Sequence, residues 1–221
     1  MKIIENIEKL EREAEENLNI AQHEISIARK IKELAKIQLK QSKARENLFN
    51  NELKIAKIRE KLARKKMEIS NKKRKLKEDG ILSFSEDELI GEGNYAIFYE
   101  NLAKLQLSLA KIHEKIVEIE RKTIGNKKAI SNIRFNLAKE LKVLTKKINY
   151  YITTIRTNKP SEIISKAKAE IQEKRKQITL IKKGLTEEEN KLKSRQNKIA
   201  DLKKELSLNL AEQEKIRHKK S

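Results

Sequence analysis

Residues 102–137 read LAKLQLSLAKIHEKIVEIERKTIGNKKAISNIRFNL, and the spacing of the large apolar residues in this stretch decides the fold class. They recur three or four positions apart: Leu102, Leu105, Leu109, Ile112, Ile116, Ile119, Ile130, Ile133 and Leu137. The same count passes through Thr123 and Asn126, which predicts one continuous helix across Gly125. An average period of about 3.5 residues indicates helices that supercoil around partner helices.

The rarity of helix breakers extends this prediction to the whole chain. Among 221 residues there are 5 glycines and 1 proline, and charged residues make up 39% of the sequence. Such a composition is typical of long helices and coiled coils. The punctuation predicts a helix over 2–79, a loop over 80–94, a helix over 95–157, a turn over 158–161 and a helix over 162–219. We expect Gly80 to end the first helix, Ser85 and Glu88 to cap a short turn in the loop, and Ser161 to cap the third helix.

The first and third helices also carry apolar seams. The third keeps one seam from Ile164 to Ile216. The first has two. One contains a column of small residues with a single exception, Phe49: Ala14, Ala21, Ala28, Ala35, Ser42, Ala56, Ala63 and Ser70. The other consists of Ile20, Ile27, Leu34, Ile37, Leu48, Ile55, Ile58, Leu62 and Ile69. Two seams predict that the first helix lies at the centre of an all-α, elongated, antiparallel coiled-coil bundle of three long helices, forming a single domain over residues 1–221.

The basic residues form columns on the faces that the seams leave free. The formal net charge is +20, with 53 basic and 33 acidic residues. We predict that the following residues bind a polyanion: Arg29, Lys36, Lys40, Lys43, Lys54, Lys57, Lys61, Arg64, Arg121, Lys128, Lys139, Lys142 and Lys146. A solvated face that keeps a long bundle soluble is the simpler interpretation. Against it, a coiled coil usually balances lysine with glutamate four residues away, and these columns are largely unbalanced.

Two functions follow as expectations. The first is a non-enzymatic structural or scaffolding protein that assembles as a homo-oligomer, expected to be a dimer, or with partner helices. The second is binding of nucleic acid or of an anionic membrane surface through the basic faces. Nucleic-acid contacts would be independent of base sequence, because aromatic stacking residues are scarce. Crescent-shaped three-helix bundles of the BAR type, which bind anionic lipid, are similar in helix number and charge, although no motif carries this resemblance.

Other chemistry is not expected. The chain has no cysteine, and His23, His113 and His218 lie on different helices without partners at the spacing of metal ligands. We therefore expect no enzyme activity, catalytic residue, metal, cofactor or small-molecule substrate. The acidic N-terminal segment does not have the pattern of a signal peptide, and no apolar run is long enough to span a membrane. A cytoplasmic location is the expectation.

Overall fold

The computed structural model describes residues 2–218 of the chain, and the side chains of residues 4–216. Its helices are α1 (Lys2–Glu78), α2 (Glu86–Arg156) and α3 (Ser161–His218), and the described residues contain no strand. The all-α prediction is therefore confirmed. α2 continues through Gly125 and Asn126 without interruption, as its apolar spacing predicts. The predicted end of the last helix at Lys219 and the side chain of His218 lie outside the described residues.

The two connections between helices use backbone conformations that end a helix. Gly80 has a φ of 69° and Asn158 a φ of 49°, both in the left-handed region that glycine and asparagine tolerate best. The Gly80 amide donates to the carbonyl of Lys77, and the Asn158 amide donates to that of Ile155. Three helix bounds differ from the prediction by one residue each: Glu78 ends α1, Arg156 ends α2 and Ser161 begins α3.

The predicted loop over residues 80–94 is wrong in its second part, because α2 begins at Glu86. Ser85 and Glu88 form a reciprocal capping box at this point. The Glu88 amide donates to Ser85 Oγ at 3.2 Å, and the Ser85 amide donates to Glu88 Oε2 at 3.1 Å. The glycines that suggested a loop lie inside the helix. Gly93 is buried against α1, where an added Cβ would lie 3.0 Å from Arg74 Nη2 and 3.7 Å from Ser70 Oγ.

The chain divides into two compact units, each containing parts of all three helices. Unit 1 comprises residues 1–39 and 122–196, and unit 2 comprises residues 40–121 and 197–221. The core of unit 1 combines small residues of α1 with large apolar residues of α2 and α3: Ala14, Ala21, Ile130, Leu137, Ala138, Leu141, Leu144, Ile148, Ile152, Ile171, Ile178 and Leu185. Two α2 hydroxyls donate to α1 carbonyls, Ser131 to Ala28 at 2.8 Å and Thr145 to Ala14 at 3.2 Å.

Unit 2 is built from the same kind of pairing between α1 and α2. Its buried residues include a second run of small side chains together with larger ones: Ser42, Phe49, Ala56, Ala63, Ser70, Leu89, Ala96, Ala103, Leu109, Ala110, Ile112, Ile116 and Val117. The predicted column of small residues on α1 is therefore buried in both units. Small side chains every seven residues bring the two helix backbones close together.

The order of the contacts gives the direction of each helix pair. In unit 1, Arg156 bonds to Glu11, Arg134 to Glu24 and Lys127 to Gln38, so numbers fall along α2 as they rise along α1. In unit 2 the same order runs through pairs from Arg45 with Glu120 to Lys73 with Glu92. Along α3, numbers rise as those of α2 fall, from Glu170 bonded to Lys147 to Arg195 bonded to the carbonyl of Lys122.

The prediction that α1 lies at the centre is wrong, because α2 is the helix buried on two sides. One of its columns has every member buried: Leu89, Ala96, Ala103, Ala110, Val117, Ile124, Ser131, Ala138, Thr145 and Ile152. In unit 1, Ser131 and Thr145 of this column contact α1. The seam predicted on α2 is also buried or half-buried at every position. The seam predicted on α3 is likewise buried or half-buried throughout.

Candidate interaction surfaces

The predicted polyanion-binding residues all lie on the surface. Each of the thirteen side chains is exposed. Unit 1 contains Arg29, Lys36, Lys128, Lys139, Lys142 and Lys146. Unit 2 contains Lys40, Lys43, Lys54, Lys57, Lys61, Arg64 and Arg121. Exposure makes these cations available to a ligand, and whether they bind one stays a prediction.

Two of the thirteen have a carboxylate partner. Arg64 donates to Glu60 at 2.8 Å, one turn earlier on α1, and Arg121 of α2 donates to Glu46 of α1. For the other eleven, no ion pair within 4.0 Å is found in the part of the chain that the structure describes. Glu46 lies one turn after Lys43, so the ion pair places Arg121 of α2 near the basic column of α1 that contains Lys43. On α1 itself, unit 2 presents Lys54, Lys57, Lys61 and Arg64 as exposed cations on successive turns.

The second seam of α1 is the largest departure from the prediction, because it is not covered. Eight of its nine members are exposed, with exposed fractions of 42–65%, and Ile27 is half-buried. In unit 1 the exposed members are Ile20, Leu34 and Ile37; in unit 2 they are Leu48, Ile55, Ile58, Leu62 and Ile69. The heptad spacing located this apolar face correctly. It could not indicate whether a helix of the same chain covers it.

An ion-pair network in unit 1 was not predicted. Arg134 of α2 donates to Glu24 of α1 and to Glu189 of α3, both at 2.6 Å, and thus links three helices. Burial lowers the pKa of the Arg134 guanidinium, but the hydrogen bonds that it donates to both carboxylates outweigh that effect and raise the pKa. The side chains of Arg134 and Glu24 are only 16% and 13% exposed. The sequence signal for this network was weak, since Arg134 is one cation among many.

The region around Asn126 is a second polar contact in unit 1. Asn126 is buried, and its Nδ2 donates to Glu188 Oε2 at 2.6 Å. A hydrogen bond from Lys191 is the main cause that lowers the pKa of Glu188, and the Asn126 bond acts in the same direction. Nearby, Lys127 donates to Gln38 at 2.7 Å, and burial lowers the pKa of this lysine. The two polar positions in the α2 seam, Thr123 and Asn126, are thus buried, and α3 supplies the hydrogen-bond acceptor for Asn126.

The histidines do not form a metal site in the described residues. His113 Nδ1 lies 2.9 Å from Glu52 Oε2 in unit 2, and His23 is exposed in unit 1. No group of three or more histidine, aspartate or glutamate side chains with the geometry to hold a metal ion occurs between residues 4 and 216. His113 and Glu52 line two open cavities beside α3, each of about 260 Å³.

Comparison with known proteins assigns no function. No protein-family description matches the sequence, and no curated protein is similar to it. Across the described helices, no segment combines the length and the apolar character that a bilayer span requires. The candidate surfaces therefore have to be interpreted from their own chemistry: exposed apolar residues at heptad spacing on α1, and exposed cations beside them.

Proposed function

We propose that this chain is a non-enzymatic coiled-coil scaffold protein. In this proposal the three helices pack as an antiparallel bundle, and the exposed seam of α1 binds a further helix, either of a second copy or of a partner. The observation that carries the proposal is the exposure of eight large aliphatic side chains at heptad positions of one helix. Isolated apolar side chains on a surface are common, whereas a continuous apolar patch indicates an interaction site.

Three further observations support the proposal. Residue numbers fall along α2 as they rise along α1, which is the order of an antiparallel pair. Small residues recur every seven positions at the α1–α2 contact in each unit, which favours close helix packing. The hydrogen bonds of Arg134 join α1, α2 and α3 within unit 1, as expected for helices that pack along their length.

Self-assembly through unit 1 is the simplest form of this function. Between Ile20 and Ile37 the exposed residues at e and g are Ser26 and Glu33, so two copies would meet with little like charge at these positions. We expect sedimentation equilibrium to give a mass above that of one chain, with a dimer as the main species. Replacing Leu34 and Ile37 by serine should shift the mass towards the monomer without loss of helical circular dichroism, because both side chains are already exposed.

The result that contradicts self-assembly is a mass of one chain at every concentration. A matched control is the pair Lys142→Ser and Lys146→Ser, which removes two exposed charged side chains of the same unit and should leave the mass unchanged. If both pairs of substitutions lower the mass equally, general loss of stability explains the effect rather than a defined interface.

A second candidate function is electrostatic binding of a polyanion. Its specific support is that thirteen predicted cations are exposed and eleven of them have no ion pair among the described residues. Binding of this kind weakens steeply with salt, because each neutralised phosphate of duplex DNA releases about 0.9 counterions. We expect Lys54→Glu, Lys57→Glu, Lys61→Glu and Arg64→Glu together to weaken binding to DNA or to anionic liposomes. If the unmodified chain binds neither ligand at low salt, this function is excluded.

A further inference from the structure

The exposed seam of α1 in unit 2 is a defined strip on a helix that is well packed on another side. We call Leu48, Ile55, Ile58, Leu62 and Ile69 the open seam; their exposed fractions are 63%, 48%, 65%, 51% and 53%. On the packed side of the same helix, Ala56, Ala63 and Ser70 are only 1–2% exposed. The exposure therefore belongs to one side of α1. Its members are seven, three, four and seven residues apart, the spacing of a and d positions in a heptad.

One edge of the open seam adjoins α3 and leaves space there. Leu48 lines a cavity of about 260 Å³ together with Lys203 and Leu206 of α3. Ile55 lines a second cavity of about 260 Å³ together with Leu210 and Gln213. Both cavities lie within unit 2 and open to solvent. A helix resting on the open seam would therefore also meet α3, and it would bury apolar surface from two helices rather than one.

The charges beside the open seam select its occupant. With Ile55 at position a, the e and g positions between Leu48 and Ile69 comprise four basic and two acidic residues: Lys54, Arg59, Lys61, Lys66, Glu52 and Glu68. Glu52 lies 2.9 Å from His113 of α2, so Glu68 is the acidic residue that remains beside the seam. Residues at e and g determine which helix pairs with which, through attraction or repulsion across the seam. Lys54, Arg59 and Lys61 are exposed, and none of the three has a carboxylate within 4.0 Å in the described part of the chain. Lys66 is half-buried and lies over the rings of Tyr95 and Tyr99.

We infer that the open seam is a docking site for an acidic amphipathic helix, one with leucine or isoleucine at a and d and glutamate at e and g. The inference rests on the proposed scaffold function and specifies its partner. A second copy of this segment fits less well, because residues 48–69 carry seven basic and three acidic side chains, and two such segments repel each other. A membrane surface also fits poorly, because interfacial helices present a wide apolar face with aromatic residues. The open seam is aliphatic and narrow: four of its members share position a, Ile58 is at d, and Asn51 and Lys65 occupy the neighbouring d positions.

Nucleic acid would contact the basic side chains and leave the apolar side chains of the open seam exposed. That difference makes the inference testable, since only a docked helix needs Ile58 and the flanking lysines together. Ile58 is the most exposed member, at 65%, so replacing it by serine removes seam contact with little effect on the fold. Lys54 and Lys61 are exposed as well, so reversing their charge changes only what a partner meets.

The experiment uses two synthetic peptides of about four heptads each, identical at a and d, with glutamate at e and g in one and lysine in the other. Binding of the fluorescently labelled peptides to the full chain is measured by anisotropy near physiological ionic strength, about 0.15 M. We expect saturable binding of the glutamate peptide and none of the lysine peptide. Ile58→Ser should weaken the glutamate peptide about tenfold and leave binding of heparin unchanged.

Charge reversal provides the second arm. Lys54→Glu with Lys61→Glu should weaken the glutamate peptide about tenfold and create binding of the lysine peptide. The matched control, Lys176→Glu with Lys183→Glu, places the same charges seven residues apart on exposed positions of unit 1 and should change neither affinity. A scrambled glutamate peptide of equal charge should not bind. If it binds as tightly as the heptad peptide, the site is a general polyanion surface and the inference is wrong.

The remaining outcomes separate this inference from the proposed function. If the chain self-associates but the glutamate peptide does not bind, the scaffold function stands and the acidic-helix site is refuted. If Ile58→Ser dissociates a dimer of the chain, the open seam holds a second copy, and the inference is again refuted. If the chain neither self-associates nor binds the peptide, both proposals fall.

Discussion

Replacing Ala28 by leucine tests whether the small residues of α1 set the distance between α1 and α2. Ala28 is 0% exposed, and its carbonyl oxygen accepts the hydrogen bond from Ser131 Oγ at 2.8 Å. Three further carbon atoms have no space at such a contact, so the helices must separate. Overpacking of this kind costs about 1–3 kcal/mol, and a buried Ser131 hydroxyl left without its partner costs about 1 kcal/mol more. We expect the free energy of unfolding to fall by about 3 kcal/mol.

The measurement is urea unfolding followed by far-ultraviolet circular dichroism, with linear extrapolation to water. Ala169→Leu is the matched control, because Ala169 is an exposed helical alanine of the same unit and the two residues differ by only a few tenths of a kcal/mol in helix propensity. Ser131→Ala should cost about 1 kcal/mol, since it removes the hydrogen bond without adding volume. If Ala28→Leu costs no more than Ala169→Leu, close packing through small residues does not hold these helices together.

Three further substitutions test individual contacts. Ser85→Ala removes the N-cap of α2 and should lower the free energy of unfolding by about 1 kcal/mol, measured by urea unfolding. The hydrogen bonds from Ser85 lower the pKa of Glu88, so the contribution of this carboxylate is present above the ordinary glutamate value near 4.5 and is lost as the pH falls through the lowered value. Glu88→Gln should therefore be destabilising at neutral pH and nearly neutral at strongly acidic pH. Arg134→Met leaves the poorly exposed Glu24 without its partner and should cost about 2 kcal/mol, whereas Arg156→Met, at an arginine 57% exposed, should cost under about 0.5 kcal/mol.

The sequence predicted the elements of this fold better than their arrangement. Apolar spacing located α2 across Gly125, because a helix continues wherever its packing face is preserved. It failed at the start of α2, where Gly91 and Gly93 were interpreted as loop residues. The capping box of Ser85 and Glu88 marked the true beginning, and it was interpreted as capping a separate short turn. From the sequence alone, a glycine inside a helix cannot be distinguished from one that ends it. The burial of Gly93 against α1 is visible only in the structure.

The position of α2 was missed for a related reason. Its contact with α1 includes Ser131 and Thr145, which a search for large apolar residues does not count. Their hydroxyls donate to carbonyls of α1, so they are satisfied in a buried site. The column of small residues on α1 was recognised, and it required a partner column of the same kind. Searching for small residues every seven positions on the other helices would have found Ala96, Ala103 and Ala110.

For the second seam of α1 the heptad pattern was correct, but the conclusion that other helices of the same chain cover it was wrong. Isoleucine and leucine at heptad spacing predict that a helix packs on this side of α1, but they do not predict which helix. The choice of partner depends on the e and g positions, and beside the open seam four of these six positions are basic: Lys54, Arg59, Lys61 and Lys66. A helix that paired only through apolar contact would accept many partners. In our proposal these cations favour an acidic helix over a basic one, which would give the surplus of positive charge and the exposed apolar strip one common explanation.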